Sequence, residues 1–286
     1  MNNREGFIWF NGEMINWADA TVHSLSHGLH YASSVFEGER SYNGTIFKSK
    51  QHTERLFQSA KTLDFTIPYS EAEIEDAKYA VMKANNLTDC YLRPFAFLGP
   101  DALGLQGTGV GVNTIIAAWE WGSYFGGDKM KGLNFTMADY KRPSPDTAPC
   151  HAKAAGLYMI CTITKNKATA QGFDDALMLD YRGYIAEATA ANIFFLMNDG
   201  KIHTPTPDCF LNGITRQTVI ELAKTLGMEV VERHIKPEEM ANAVECFVTG
   251  TAAEIMPVAS IGQYTFTPGA TCQKFISEYD TLVGKA

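Results

Sequence analysis

The 286-residue sequence contains no run of apolar residues long enough to cross a membrane. Its first residues, MNNREGFIWFNGEM, are charged and polar where a secretory signal needs a continuous apolar stretch, so we expect a cytoplasmic protein. An excess of positive charge is also lacking, because the formal net charge is −8. We therefore expect neither nucleic acid nor a membrane surface as a partner, and any bound anion must be held by a local site.

Closely spaced cysteine pairs are missing as well. Six scattered cysteines occur, at Cys90, Cys150, Cys161, Cys209, Cys246 and Cys272. Without a C-x-x-C pair they do not indicate zinc or redox chemistry, and we expect them to be reduced and mostly buried. His23, His27 and His30 are spaced like metal ligands, but Glu37 is the one acidic residue near them, so no metal site is predicted.

The residues that are present, 45% hydrophobic and 20% charged, are those of an ordinary globular protein. Strand-like and helix-like patterns alternate, which predicts α/β or α+β architecture. The predicted strands and hairpins lie at 7–15, 91–98, 113–121, 175–188 and 192–204, and the predicted helices at 50–65, 71–82, 153–170 and 215–226. Segment 121–132 holds four glycines and breaks every apolar period. It is the predicted interdomain loop between a smaller N-terminal α/β domain (1–120) and a larger C-terminal domain (133–286).

Three sets of residues would suit a phosphate-bearing aldehyde cofactor, which needs a lysine, an anion cup and a carboxylate facing its ring nitrogen. Lys153 lies in CHAKAAGLY, where small neighbours allow partial burial and a lowered pKa. The alternative is an exposed lysine at a helix N-terminus.

Two segments could form the anion cup. In LNGITRQTV, Gly213, Ile214 and Thr215 stand where a loop enters a helix, so that free backbone N–H groups could bind a phosphate. In VTGTAAE, Thr251 follows a predicted strand in a turn of small residues. Simple helix capping is the alternative for both.

The candidate carboxylate is Glu187, at the end of a strand whose neighbours are almost all apolar. A carboxylate there must be paired if it is buried, and a protonated pyridine nitrogen is one possible partner. The alternative is a glutamate that faces solvent.

Together these motifs resemble the fold-type IV (class IV) pyridoxal-5′-phosphate (PLP) aminotransferases, and most closely the branched-chain amino acid aminotransferases. The resemblance spans nearly the whole chain. It rests on EATAANIF, IHT and LNGITR between residues 187 and 216, and on HGLHYASSVFEG, YLRP, HAKAAGLY and GTAAE elsewhere. It implies two domains with the cofactor at their interface, in a homodimer or higher homo-oligomer.

The resemblance also implies roles for individual residues. Lys153 becomes the catalytic Schiff-base lysine and Glu187 the partner of the ring nitrogen. The cofactor-binding set is completed by Arg55, Tyr158, Ile214, Thr215 and Thr251. The substrate-binding set is Tyr31, Phe36, Gly38, Tyr91, Arg93, Leu105, Tyr124, Ala252 and Ala253, with Tyr31 and Leu105 supplied by the partner subunit.

The implied reaction is transamination between an L-branched-chain amino acid and 2-oxoglutarate. On the same scaffold, a D-amino acid transaminase, an R-selective amine transaminase or an aminodeoxychorismate lyase stays open. The alternative from a different functional class is a non-catalytic binding protein. Ala190, Ala191 and Glu39 depart from the family's usual residues, which leaves the substrate range open.

Overall fold

The computed structural model describes residues 4–122 and 128–285. The chain packs into two compact units, one made of the chain up to Trp121 together with Ala152–Tyr158, and the other of the remaining residues. The predicted domain limits stay a prediction. The two units differ from them in where the lysine segment belongs. The stretch that carries Lys153 groups with the first unit rather than with the C-terminal residues on either side of it.

The reason for this grouping is backbone pairing. Ala154 forms an isolated β-bridge with Val35, and the backbone N–H of Phe36 donates to the carbonyl of Lys153 at 3.1 Å. Because Ala154 is engaged in this bridge, the predicted helix from 153 does not begin there. A 3₁₀ turn covers Ala155–Tyr158, and the α-helix begins at Met159.

The first unit contains a seven-stranded sheet in the order β2-β1-β7-β6-β4-β5, with β3 also paired to β6. Its strands are β1 (Phe7–Phe10), β2 (Glu13–Asn16), β3 (Ser34–Phe36), β4 (Glu39–Tyr42), β5 (Thr45–Ile46), β6 (Cys90–Leu98) and β7 (Val112–Trp119). Its helices are α1 (His27–Tyr31), α2 (Ser49–Thr62) and α3 (Glu71–Ala84), with a 3₁₀ turn at Trp17–Asp19.

The local signals explain several of these elements. The β1–β2 hairpin turns at Asn11 and Gly12, which both have the positive φ that a tight hairpin turn requires. Ser70 and Glu73 form the predicted capping box at the start of α3. Helices α2 and α3 cover one sheet face, where Leu56, Ile74 and Leu92 are fully buried.

The first sheet is interrupted between β3 and β4, and this interruption determines where Glu37 and Gly38 lie. Both β3 and β4 pair with β6, at Ser34–Phe36 and at Glu39–Ser41, and the ladder is interrupted between them. Pro94 of β6 lies opposite this gap and has no N–H to donate, while its carbonyl accepts from the backbone of Glu37 at 2.7 Å. Glu37 and Gly38 therefore leave the regular pleat.

The second unit contains a nine-stranded mixed sheet in the order β10-β9-β8-β15-β14-β11-β12-β13, with β16 paired to β15. Its strands are β8 (Leu133–Met137), β9 (Asp175–Leu179), β10 (Ile185–Ala188), β11 (Asn192–Met197), β12 (Ile202–Pro205), β13 (Val230–Arg233), β14 (Ala243–Gly250), β15 (Glu254–Ile261) and β16 (Tyr264–Thr265). Its helices are α4 (Met159–Ala170), α5 (Ile214–Thr225) and α6 (Ala270–Leu282), with 3₁₀ turns at Lys129–Lys131 and Pro237–Asn242.

The core of the second unit lies on its sheet and includes the fully buried Phe135, Phe195 and Val248. Both predicted hairpins, β9–β10 and β11–β12, are antiparallel pairs in the structure. All six cysteines are buried and none is in a disulfide, which bears out the expectation for them. In the described part of the chain, no helix is both long and apolar enough to cross a membrane.

Candidate active site

Lys153 lies in the first unit with its amine beside Tyr158. Its Nζ donates to the Tyr158 hydroxyl at 2.7 Å and lies 4.8 Å from the centre of the Phe36 ring. The residue is half-buried, and its backbone N–H donates to the buried hydroxyl of Ser59 at 3.0 Å. Burial lowers the pKa of Lys153 to about 8, with Arg55 adding to the effect. The amine is thus held in place and is neutral more often than an exposed lysine.

Arg55 projects from α2 and pairs with the fully buried carboxylate of Glu37. Its Nε donates to Glu37 Oε1 at 2.7 Å and its Nη2 to Oε2 at 2.8 Å. His52, one helical turn before Arg55, brings its Nδ1 within 2.6 Å of Glu37 Oε2. The remaining nitrogen of Arg55, Nη1, is buried and has no hydrogen-bond partner among the described residues. A guanidinium with one unused buried donor is suited to an anion.

The predicted alternation on β6 brings Tyr91 and Arg93 together. Nη2 of Arg93 donates to the Tyr91 hydroxyl at 2.8 Å, and its guanidinium carbon lies 4.9 Å from the centre of the Phe36 ring. Gly38 lies against the same tyrosine, because a Cβ there would meet the Tyr91 hydroxyl at 2.1 Å. The Nε of Arg93 is buried with no hydrogen-bond partner in the described residues. Aromatic rings and a positive charge therefore share one face of the strand.

Two of the predicted substrate residues are exposed at the surface of the first unit. Tyr31 is 46% exposed and Leu105 is 77% exposed. Nε2 of His27 lies 3.2 Å from the carbonyl of Leu105, and the Tyr31 hydroxyl donates to the Leu103 carbonyl at 3.4 Å. Tyr124 lies outside the described residues.

Glu187 lies in the second unit, and its 7% exposure rules out the solvent-facing alternative. The carboxylate lies between two buried side chains. Arg142 Nε is 3.4 Å from its Oε1, and Asn192 Nδ2 donates to its Oε2 at 3.1 Å. The strand bulges between Ile185 and Glu187. The prediction that a buried Glu187 must be paired is confirmed, because Arg142 and Asn192 both contact its carboxylate.

Asn192 links Glu187 to the loop that enters α5. Its Nδ2 also donates to the Leu211 carbonyl at 3.0 Å, and its Oδ1 accepts from the backbone of Gly213 at 3.1 Å. A Cβ at residue 213 would meet Asn192 Oδ1 at 2.3 Å, so a larger residue there would displace this amide from its hydrogen bonds. Helix α5 begins at Ile214, one residue before the predicted start, with Thr215 buried in its first turn. Gly213 has no side chain to cap the helix, so its first N–H groups stay available to an anion.

The second candidate cup is the turn between β14 and β15. Gly250 pairs with Glu254, which leaves Thr251, Ala252 and Ala253 as a three-residue turn. The carbonyl of Ala190 would lie 3.4 Å from a Cβ at Gly250, so Ala190 borders this turn. The turn therefore consists of small residues and is bordered by another small residue, Ala190. It offers backbone groups and the hydroxyl of Thr251.

The sequence did not reveal the partners that hold these candidates. Glu37 and His52 fix Arg55, and Arg142 and Asn192 fix Glu187. A partial signal exists for Asn192, which lies in the same EATAANIF motif as Glu187. No spacing points to Arg142, which is 45 positions before Glu187 in the sequence.

A family model described as amino-transferase class IV matches residues 34–261. The chain is 42% identical over 266 residues to a branched-chain-amino-acid aminotransferase of Pseudomonas aeruginosa, a match that covers 91% of this chain and 86% of that protein. It is similar to the crystal structure of the branched-chain amino acid aminotransferase of Escherichia coli, with a TM-score of 0.94, 37% identity and coverage of 98% and 95%. The T.th. branched-chain amino acid aminotransferase complexed with N-(5′-phosphopyridoxyl)-L-glutamate matches with a TM-score of 0.93, 36% identity and coverage of 99% and 96%.

Proposed function

The chain belongs to the class IV aminotransferases, and on that basis we propose that it transfers an amino group between an L-branched-chain amino acid and 2-oxoglutarate, with PLP as cofactor. The products are a branched 2-oxo acid and L-glutamate. The observation that carries the proposal is the amine of Lys153, held by Tyr158 and with a pKa lowered to about 8. An amine that loses its proton this easily can bond to an aldehyde and move a proton.

The residues present suit PLP in each of its parts. Arg55 has a buried, unused donor for the phosphate, and the first turn of α5 at Ile214 and Thr215 offers further N–H groups. Glu187 is a buried carboxylate that suits a protonated ring nitrogen, and the Thr251 turn offers a hydroxyl. When bound, PLP accepts the electron pair that is left on the substrate Cα after its proton is removed.

The remaining steps belong to side chains of this chain. Lys153 Nζ takes the proton from the substrate Cα, because it is the one basic group in the proposed set with a lowered pKa. Tyr158 keeps that amine in position through the 2.7 Å hydrogen bond. The turn of Thr251 and Ala252 is proposed to hold the substrate α-carboxylate on its backbone N–H groups.

The side-chain pocket must accept both an apolar group and a carboxylate. Phe36 and Tyr91 supply aromatic surface, and Arg93 supplies a positive charge on the same face. The similar T.th. enzyme forms a complex with a phosphopyridoxyl adduct of L-glutamate, which supports glutamate as the second substrate. Gly38, beside Tyr91, belongs to the same proposed pocket, and the family resemblance adds Ala253 and Tyr124.

The oligomeric state and the location are also part of the proposal. We propose a homodimer or higher homo-oligomer in the cytoplasm, in which Tyr31 and Leu105 of one copy reach the pocket of the other. The high exposure of both side chains supports this role, since neither is needed to fill the core of its own unit.

The test is a substrate panel on the purified protein. L-leucine with 2-oxoglutarate should yield glutamate and a branched 2-oxo acid, and the protein should have an absorbance band of bound PLP that borohydride abolishes. Preference for D-alanine or for (R)-1-phenylethylamine would replace the proposal by another reaction on the same scaffold. A colourless protein that binds no PLP would favour a non-catalytic role.

A further inference from the structure

The gap between β3 and β4 places one carboxylate in an unusual position. Glu37 is fully buried, and both of its oxygens are engaged by residues of α2. Oε1 accepts from Arg55 Nε, while Oε2 accepts from Arg55 Nη2 and lies 2.6 Å from His52 Nδ1. A bidentate pair of this kind fixes the plane of a guanidinium as well as its distance.

The charge state of each partner follows from its contacts. Burial alone would raise the pKa of Glu37, but Arg55 and then His52 outweigh burial and hold that pKa well below its usual range. An ionised carboxylate can only accept, so His52 must donate from Nδ1. Burial lowers the pKa of His52, which keeps the ring neutral despite the nearby carboxylate. His52 therefore acts as a fixed neutral donor.

One donor group of Arg55 is left over by this arrangement. Glu37 occupies Nε and Nη2, and Nη1 is buried without a hydrogen-bond partner in the described part of the chain. An arginine side chain loses much rotamer freedom when it is held in this way, so removal of Glu37 would let the guanidinium turn.

We propose that Glu37, oriented by His52, is the positioning residue for the cofactor phosphate: it holds two nitrogens of Arg55 so that Nη1 is presented to that phosphate. The inference rests on the proposed function, since it assumes that Arg55 binds the phosphate of PLP. Glu37 and His52 touch neither substrate nor cofactor in this assignment and act through Arg55.

Glu37 also sets the local charge near the catalytic amine. Burial is the main cause of the lowered pKa of Lys153, Arg55 lowers that pKa further, and Glu37 raises it. Loss of the Glu37 charge leaves the Arg55 cation unbalanced, so the pKa of Lys153 should fall further. If Glu37 only stabilised the fold, its replacement would not be expected to lower the pKa of Lys153.

The chain offers a matched control two residues away. Glu39 is also fully buried and is paired with a buried cation, Lys78, at 2.8 Å. Glu37→Gln and Glu39→Gln thus make the same substitution at neighbouring buried acids, and they differ in charge: Glu37 is ionised, whereas burial raises the pKa of Glu39 to about 8. Glu39→Gln therefore controls for the loss of a buried acid, and Glu37→Gln also removes a negative charge. Arg55 donates its carboxylate hydrogen bonds to Glu37 and not to Glu39.

The experiment measures binding of PLP and of pyridoxal, which lacks the phosphate, in a Lys153→Ala background where no covalent bond forms. Glu37→Gln should weaken PLP binding on the order of tenfold to a hundredfold, the scale of a lost charged hydrogen bond, and leave pyridoxal binding unchanged. Glu39→Gln should weaken neither. His52→Asn, which keeps an N–H donor, should retain more PLP affinity than His52→Leu.

A second measurement uses cofactor-free protein with Lys153 intact. The pH midpoint for labelling Lys153 with an amine-selective reagent should fall in Glu37→Gln and not in Glu39→Gln. Equal losses for PLP and pyridoxal, or an unmoved midpoint, would overturn the inference. If Arg55→Gln has no effect on PLP binding, the inference fails with its premise that Arg55 binds the phosphate. If the wild-type protein binds no PLP and does not transaminate L-leucine, the proposed function has failed instead.

Discussion

The amine of Lys153 donates to the hydroxyl of Tyr158 across 2.7 Å, although the two residues are only five positions apart in the chain. The 3₁₀ turn at Ala155–Tyr158 makes this possible, because it brings the tyrosine back beside the lysine. Both residues of the pair belong to the first unit. Its geometry sets the first two predictions.

Lys153→Ala should abolish transamination and leave a folded protein that still binds PLP weakly. The proposed phosphate donors, Arg55 and the first turn of α5, do not depend on the lysine. Turnover, the melting temperature and PLP binding are measured on the same preparation. Near-wild-type turnover, or a borohydride adduct that maps to another lysine, would contradict the assignment.

The reactivity of Lys153 in cofactor-free protein should rise with pH around a midpoint of about 8. Arg55→Gln should shift the midpoint upward, because the arginine cation lowers this pKa. The same shift affects stability: between about 8 and 10.5 the unfolded chain binds more protons than the folded one, so the free energy of unfolding should rise with pH there. Competitive labelling followed by peptide mass analysis gives the midpoint.

Glu187→Gln should leave the cofactor bound and slow the half-reaction by roughly tenfold to a hundredfold, the effect of losing a charge-assisted contact of about 1.5–3 kcal/mol. The amide is similar in size and can still accept from Asn192, but it loses the charge that faces buried Arg142, so the melting temperature should fall while the protein stays folded. Single-turnover absorbance measures the rate. An unchanged rate would remove Glu187 from the mechanism.

Arg93→Gln should impair the half-reaction with glutamate on the order of ten- to two-hundredfold in kcat/KM and affect leucine far less. Only a carboxylate-bearing side chain needs the positive charge of Arg93. The two half-reactions are followed separately beside a melting curve. Equal losses for both substrates, together with lower stability, would mean that Arg93 only supports Tyr91 and its strand.

Gly38→Ala should disturb the pocket through Tyr91. The new Cβ would meet the tyrosine hydroxyl at 2.1 Å, and such overpacking costs about 1–3 kcal/mol. Tyr91→Phe in the same chain removes the atom that is closest to the new methyl group, so the double variant should regain part of the lost melting temperature. Additive losses in the double variant would show that the contact is not the cause.

Local signals in the sequence predicted much of the fold. The Asn11–Gly12 turn, the Ser70–Glu73 capping box and the start of α5 at Ile214 each depend on neighbouring residues. The short strands β3, β4 and β8 were not predicted, because their pairing depends on distant segments rather than on their own pattern. The same limit applies to the helix predicted from 153, where a bridge to Val35 overrides helical propensity.

In the candidate site, too, the sequence predicted some residues but not the contacts that depend on distant segments. Lys153 and Glu187 came from motifs and Arg55 from the family resemblance, while their partners came only from the structure. Glu37 meets Arg55 because the ladder breaks opposite Pro94, and sequence spacing does not encode such a break. Arg142 meets Glu187 because the backbone of Arg142 bridges to Asp180 beside β9.

The seven residues Ala152–Tyr158 belong to the first unit but are joined at both ends to the second. A gene fragment that stops at Trp121 therefore encodes an incomplete unit, without the lysine and without the partner of Val35. Exchange of N-terminal halves between this chain and a relative would pair one parent's β3 with the other parent's lysine segment. A working chimaera thus has to carry three crossovers rather than one, so that β3 and the lysine segment come from the same parent.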